Sequence, residues 1–134
     1  MPTGQSLADV TAGVTAAMAA YAHALDDGRT DDVVALFCPD GELDMPGHGH
    51  CSGRDALREA YGQWLPGRPQ RHLVLNTLVT EWADNEAYAT SDIVFLLKGE
   101  RGWAVQLVGR YHDVLHRDGD AWRFHSRMAE FTEA

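Results

Sequence analysis

Tyr21-Ala22-His23-Ala24-Leu25-Asp26-Asp27-Gly28 closes the most regular segment of the chain. Counting back from Leu25, the larger apolar residues recur at Tyr21, Met18, Val14, Val10 and Leu7. Steps of three and four residues lay them along one stripe of an α-helix. Ser6 followed by Asp9 resembles a capping box that opens this helix, and Gly28 stops it. Asp26 follows one residue behind Leu25, beside the apolar face, at the end of the helix where the dipole favours a cation. A carboxylate placed there needs solvent, a capping role or a nearby base to compensate it. His72 is the candidate base.

Working outward, Thr30, Asp31 and Asp32 read as the start of a short second helix carrying Val33, Val34, Leu36 and Phe37. Pro39-Asp40-Gly41 is turn chemistry, Glu42 to Met45 alternates like a short strand, and Pro46 to His50 is glycine-rich loop or irregular edge. Ser52-Gly53-Arg54-Asp55 opens a third helix with Leu57, Tyr61, Trp64 and Leu65, ended by Pro66-Gly67. From there the period changes to two. Residues 71–82, 87–97, 103–116 and 121–131 read as four strands separated by polar or glycine turns. This order predicts an α+β fold, with a strongly curved antiparallel sheet and helices on one face.

A chain of 134 residues is expected to form one domain spanning residues 1–134, and its 45% apolar and 23% charged composition is that of a globular protein. The formal charge of −9 argues against nucleic acid or an anionic membrane as partner, since both need clustered Lys and Arg. No apolar run approaches the ~20 residues that span a bilayer. The first residues lack a basic region followed by an apolar run, so no signal peptide is expected. Two cysteines, Cys38 and Cys51, make no disulfide framework, and a reducing cytoplasm is the expected location.

On the first long strand, His72, Val74 and Asn76 share a face, because strand residues alternate sides. Facing a cavity beneath helix one, His72 would meet Asp26 and Tyr21. A carboxylate bonded to the imidazole Nδ1–H fixes the tautomer and leaves the other nitrogen as a base, while a tyrosine hydroxyl can hold a developing oxyanion. Tyr111 and Asp113 share one face of their strand and Arg110 and His112 the other; Tyr111 is expected to face the cavity and Arg110 the outside or a subunit interface. With Val74, Asn76 and Trp64, Tyr111 completes the expected substrate-binding residues. Asp92 reads as a solvent-face residue or as a partner for an arginine, the first being preferred. Cys38, following an apolar helix, reads as buried and inert. His48-Gly49-His50-Cys51, with Asp44 nearby, lacks the spaced partners of a zinc site and reads as a surface loop, so no metal is expected. There is no phosphate loop, dinucleotide fingerprint or serine elbow.

Six short motifs, in order, carry a resemblance: Tyr-x-x-x-Leu-Asp-x-Gly at 21–28, Leu-Phe-x-x-Asp-Gly at 36–41, Gly-Arg-x-Ala-Leu at 53–57, Arg-His-x-x-x-Asn at 71–76, Gly-Arg-Tyr-x-Asp at 109–113 and Trp-Arg-Phe at 122–124. Over roughly residues 10–130 the chain resembles the polyketide-cyclase-like, or SnoaL-like, family of the nuclear transport factor 2-like superfamily. The resemblance implies a cone-shaped barrel, a curled mixed sheet with three N-terminal helices around one deep pocket. It also implies a cofactor-independent lyase or isomerase, of dehydratase or aldol-cyclase type, acting on a small hydrophobic, aromatic or polycyclic substrate. In the scytalone and bile-acid dehydratases of the family, an Asp ending helix one and a His on the first long strand form a dyad, which by motif position become Asp26 and His72. A tyrosine five residues before that Asp matches Tyr21. Scytalone dehydratase has a second catalytic histidine, which Ser91 to Leu97 lacks, and the bile-acid enzymes have an arginine near the C-terminus with no match in Met128 to Ala134. The family implies a homodimer or homotrimer associating through the outer sheet face. The alternative is a non-catalytic ligand-binding or assembly domain of the same fold, for which retaining both Asp26 and His72 would serve no purpose.

Overall fold

The computed structural model of the chain describes residues 4–132. Helix α1 (Leu7–Asp26) opens on the expected box: Ser6 Oγ accepts from the Asp9 N–H at 3.1 Å, and the Ser6 N–H donates to Asp9 Oδ2 at 3.3 Å. Its stripe of Val10, Val14, Met18, Tyr21 and Leu25 is buried, whereas Leu7, in the first turn, stays exposed. Gly28 adopts φ +70°, a left-handed conformation that costs a residue without Cβ little, and turns the chain into α2 (Thr30–Ala35). Then follow β1 (Phe37–Met45), β2 (Gly49–Ser52), α3 (Arg54–Gly62), β3 (Gln70–Trp82), β4 (Glu86–Gly99), β5 (Gly102–Asp118) and β6 (Ala121–Thr132).

The six strands form one sheet in the order β2-β1-β6-β5-β4-β3, with β1 parallel to β6 and every other neighbour antiparallel. The mixed sheet and three helices match the expected α+β class. The expected barrel does not close: the sheet curls but remains open, with β2 and β3 as its edges. The inward residues Ala89, Ile93, Tyr111, Leu115, Phe124 and Ala129 pack under α1 and join Val33, Phe37, Leu43, Leu57 and Tyr61 in one core. Among the described residues, no helix is long and apolar enough to cross a membrane.

Three local readings change. Phe37 begins β1 rather than ending α2, and Pro39 to Gly41 is a register break inside that strand, because proline has no N–H to give a ladder. Gly49 to Ser52 pairs with β1 as an edge strand, cross-strand pairing overriding glycine's poor propensity. Helix α3 ends at Gly62, so Trp64 and Leu65 lie on the connection to β3.

Gly13 lies where α1 crosses the buried Trp122. Alanine at an interior helix position ordinarily gains ~1 kcal/mol over glycine. Here a Cβ would collide with Trp122 Cδ1 and stand 2.8 Å from Nε1. The indole is held in the core, so overpacking outweighs propensity, and Gly13→Ala is expected to lose about 1–3 kcal/mol. Thermal unfolding checks this: the midpoint should fall, and a rise would show that the helix can move away from the ring.

Candidate active site

Asp26 is the last residue of α1, and β3 runs directly beside it. His72 Nδ1 lies 2.6 Å from Asp26 Oδ1, the His72 backbone N–H donates to Oδ2 at 2.8 Å, and Gln70 Nε2 donates to Oδ1 at 3.2 Å. These donors compensate an anion at the unfavourable end of the helix. An ionised carboxylate can only accept, so the imidazole donates through Nδ1–H and its Nε2 carries the lone pair. The two side chains are 6% and 15% exposed, which puts the contact away from bulk water while leaving the ring reachable. Phe95, opposite His72 on β4, packs against the ring at 4.4 Å between centroids.

His72 lies on the wall of a cavity of about 580 Å³, a size suited to a small-molecule ligand. Leu25, Ile93, Phe95, Leu107 and Phe131 make it apolar; Trp64, Leu65 and the β1–β2 turn at Pro46 to His48 line its exposed end. Its buried end is aromatic. Tyr21 and Tyr61 share a hydrogen bond between hydroxyls at 2.6 Å, and Tyr111 meets Tyr21 edge to face at 6.2 Å. One O–H is used between the two phenols, so the other remains to donate to a ligand oxygen.

Behind these rings stands Arg127. It is fully buried; Nε and Nη2 donate to the two Asp113 oxygens at 2.8 and 2.9 Å. Its Cζ lies 3.6 Å from the Tyr111 ring centroid, 4.2 Å from Phe124 and 4.3 Å from Tyr21, a guanidinium enclosed by π faces. Burial alone would favour the neutral form, but Asp113 outweighs it and holds Arg127 charged, above arginine's ordinary value.

Burial also raises the pKa of all three phenols, Tyr61 and Tyr111 well above the usual tyrosine value, with Arg127 only partly opposing it. They therefore remain neutral donors. A raised native pKa contributes stability that is complete below the unfolded value of 10.0 and is lost as pH rises through the native values. Stability should fall from about pH 10 upward. In a 295 nm titration the exposed Tyr88 should ionise in the folded protein, and the other three only as the chain unfolds. Reversible ionisation of all four in folded protein would contradict the buried cluster.

Of the residues singled out in the sequence, His72, Tyr21, Tyr111 and Trp64 line this cavity, and Asp26 stands behind His72. Asn76 and Val74 do not line it. A register break between Leu75 and Leu78 leaves Asn76 at φ +54°, exposed, donating to Asp92 at 2.8 Å. Asp92 also accepts from Arg110 at 3.0 Å, so the second of its two readings, a partner for an arginine, is the one the structure shows. Val74 faces a second groove, between α1 and β3, lined also by Ala22, His23, Asp26 and His72, so the Asp26–His72 pair stands between the groove and the cavity. The 48–51 segment does not converge: His48 packs on Trp64, while His50 reaches Asp44 and Glu42.

Sequence reading missed Gln70, Tyr61 and Arg127. Tyr61 was visible only as one position of an apolar helical stripe. Arg127 stands directly opposite Asp113, but a bulge at His125 shifts the parity of β6 and hides its inward direction. It lies one residue before the segment in which a C-terminal arginine was sought.

Comparisons with known proteins agree with this architecture. The sequence matches no protein of curated function. Among solved structures, Rv3472 of Mycobacterium tuberculosis, a protein of unknown function, is 24% identical with a TM-score of 0.85, over 93% of this chain and 73% of that one. A Catenulispora acidiphila protein in complex with S-DNPA is 26% identical, TM-score 0.82, over 92% and 94%. ActVI-ORFA of Streptomyces coelicolor is 21% identical, TM-score 0.82, over 93% and 98%. The SnoaL-like domain model matches residues 5–128, nearly the whole of the described fold, and the chain belongs to that family.

Proposed function

We propose that this chain is a cofactor-independent acid–base enzyme of the lyase or isomerase type, with His72 as the base. The observation that carries this reading is the 2.6 Å contact between Asp26 and His72 at the wall of an apolar cavity. Asp26 holds the ring and stabilises the imidazolium that forms when Nε2 takes a proton. The proton comes from carbon beside a carbonyl, and the Tyr21–Tyr61 pair donates to the oxygen that gains charge. Elimination of water, a double-bond shift and aldol cyclisation all begin this way. The apolar walls and the aromatic floor favour a small hydrophobic substrate, aromatic or polycyclic, and Trp64 and Tyr111 offer faces for its rings. Family membership supports the class of chemistry, since SnoaL-like proteins include dehydratases and cyclases. Trp103, Val105 and Val108 expose apolar side chains on β5, and this outer face is where a homodimer or homotrimer would associate.

The test is a panel of hydrophobic β-hydroxy ketones incubated with the protein, with enone formation followed by absorbance. Turnover of at least one member, abolished in His72→Gln, is the expected result. A panel that binds in the cavity without turnover would point to the ligand-binding alternative.

A further inference from the structure

Away from the cavity, three strands bring together a thiol and two imidazoles. Cys38 on β1, His116 on β5 and His125 on β6 each present one ligand-type atom, all within 4.8 Å of one another. None of the three lines the cavity. We propose that Cys38, His116 and His125 form a binding site for a single divalent transition-metal ion of the zinc type.

The donor set is chemically suited to that ion. Thiolate and imidazole bind zinc at about 2.3 and 2.0–2.1 Å, so tetrahedral neighbours lie roughly 3.3–3.6 Å apart. Closing from within 4.8 Å asks for side-chain rotations on a half-exposed face, including a turn of one imidazole out of the stack so that both in-plane lone pairs point at the ion. Local structure has also aimed the ligands. In the β5–β6 register, Leu115 faces Phe124 and Val114 faces Ser126, leaving His125 as the bulged residue. Bulges re-aim a side chain, and this one stacks the His125 ring on His116 at 4.2 Å and 13°. His116 Nε2 lies 2.9 Å from Glu86 Oε2. With Nε2–H donated to that carboxylate, the lone pair is on Nδ1, and a carboxylate behind a metal-binding imidazole raises its basicity. His125 Nδ1 is buried without a hydrogen-bond partner and is therefore free to take a ligand. Asp40 Oδ1, 3.9 Å from that nitrogen, is placed to supply a fourth oxygen donor. An ion here would pin β1 to β5 and β6 at the end of the sheet opposite the 48–50 turn.

Metal-stripped full-length protein is titrated with Co²⁺ alone, followed by displacement with Zn²⁺. The expected result is one equivalent bound at micromolar concentration, with a near-ultraviolet thiolate-to-cobalt charge-transfer band and a higher thermal midpoint. The band should vanish in Cys38→Ser, and affinity should fall at least ~100-fold in His125→Ala. Glu86→Gln, which touches only the imidazole behind the ion, should weaken binding by about 10–100-fold and keep the band. His50→Ala and His72→Gln should leave binding unchanged, because those histidines belong to other clusters. If Cys38→Ser does not fold, His116→Gln, on the half-exposed ring, should lower the affinity as His125→Ala does. Binding without the charge-transfer band, binding that survives Cys38→Ser with His125→Ala, or none at micromolar Co²⁺ would overturn the proposal.

Discussion

Replacing Asp113 with alanine is expected to cost about 3–5 kcal/mol, measured by urea unfolding, because it strands a charged guanidinium in the core. The magnitude follows from burial: both partners of the pair are 0% exposed, and Arg127 Nη1 already lacks a partner. A domain of this kind has ~5–15 kcal/mol in all, so the loss is a large share of it. The control separates charge from shape. Arg127→Met in the Asp113→Ala background removes the stranded cation and refills part of its volume, and most of the stability should return. A cost below ~1 kcal/mol for Asp113→Ala would mean that water reaches Arg127 in the folded state, contrary to its burial. The same pair backs the rings of Tyr21 and Tyr111, so a surviving Asp113→Ala protein should also bind cavity ligands less tightly.

The second large effect concerns rate. His72→Gln should lower turnover of an identified substrate by about 10²–10⁴-fold, the usual contribution of one positioned base. Asp26→Asn should lose nearly as much for a different reason. An asparagine NH₂ opposite Nδ1 donates rather than accepts, which reverses the tautomer and puts the proton on Nε2, where the base must be free. Circular dichroism should show both variants folded. Asp26→Asn activity within threefold of wild type would remove the orienting role from Asp26. The two effects should not add, because the residues act as one unit.

Much of this site was legible in the sequence, for identifiable reasons. Asp26 stood out because a carboxylate at a helix end beside an apolar stripe is locally unfavourable, and local conflicts of that kind gather at functional sites. His72 followed from the motif position and strand periodicity, and Tyr21 from the same stripe that buries α1. Several of the failures sit at strand irregularities. The alternation from His72 to Asn76 breaks at a register shift, and a bulge at His125 conceals both the inward Arg127 and the outward cluster with Cys38. Period-two reading has no means of registering an extra residue. Cys38, read as inert beyond a helix, sits on β1 because tertiary pairing with β6 pulls residues 37–41 into the sheet.

The most direct test of the central claim does not require the natural substrate. Proton removal from carbon is the step shared by elimination, isomerisation and cyclisation, and in deuterated water it is visible as exchange. Hydrophobic aryl ketones incubated with the protein and followed by proton NMR should lose the signal beside the carbonyl faster than in buffer. That acceleration should disappear in His72→Gln while the ligand still binds. Exchange at the buffer rate for ketones shown to occupy the cavity, or equal exchange in wild type and His72→Gln, would contradict the account.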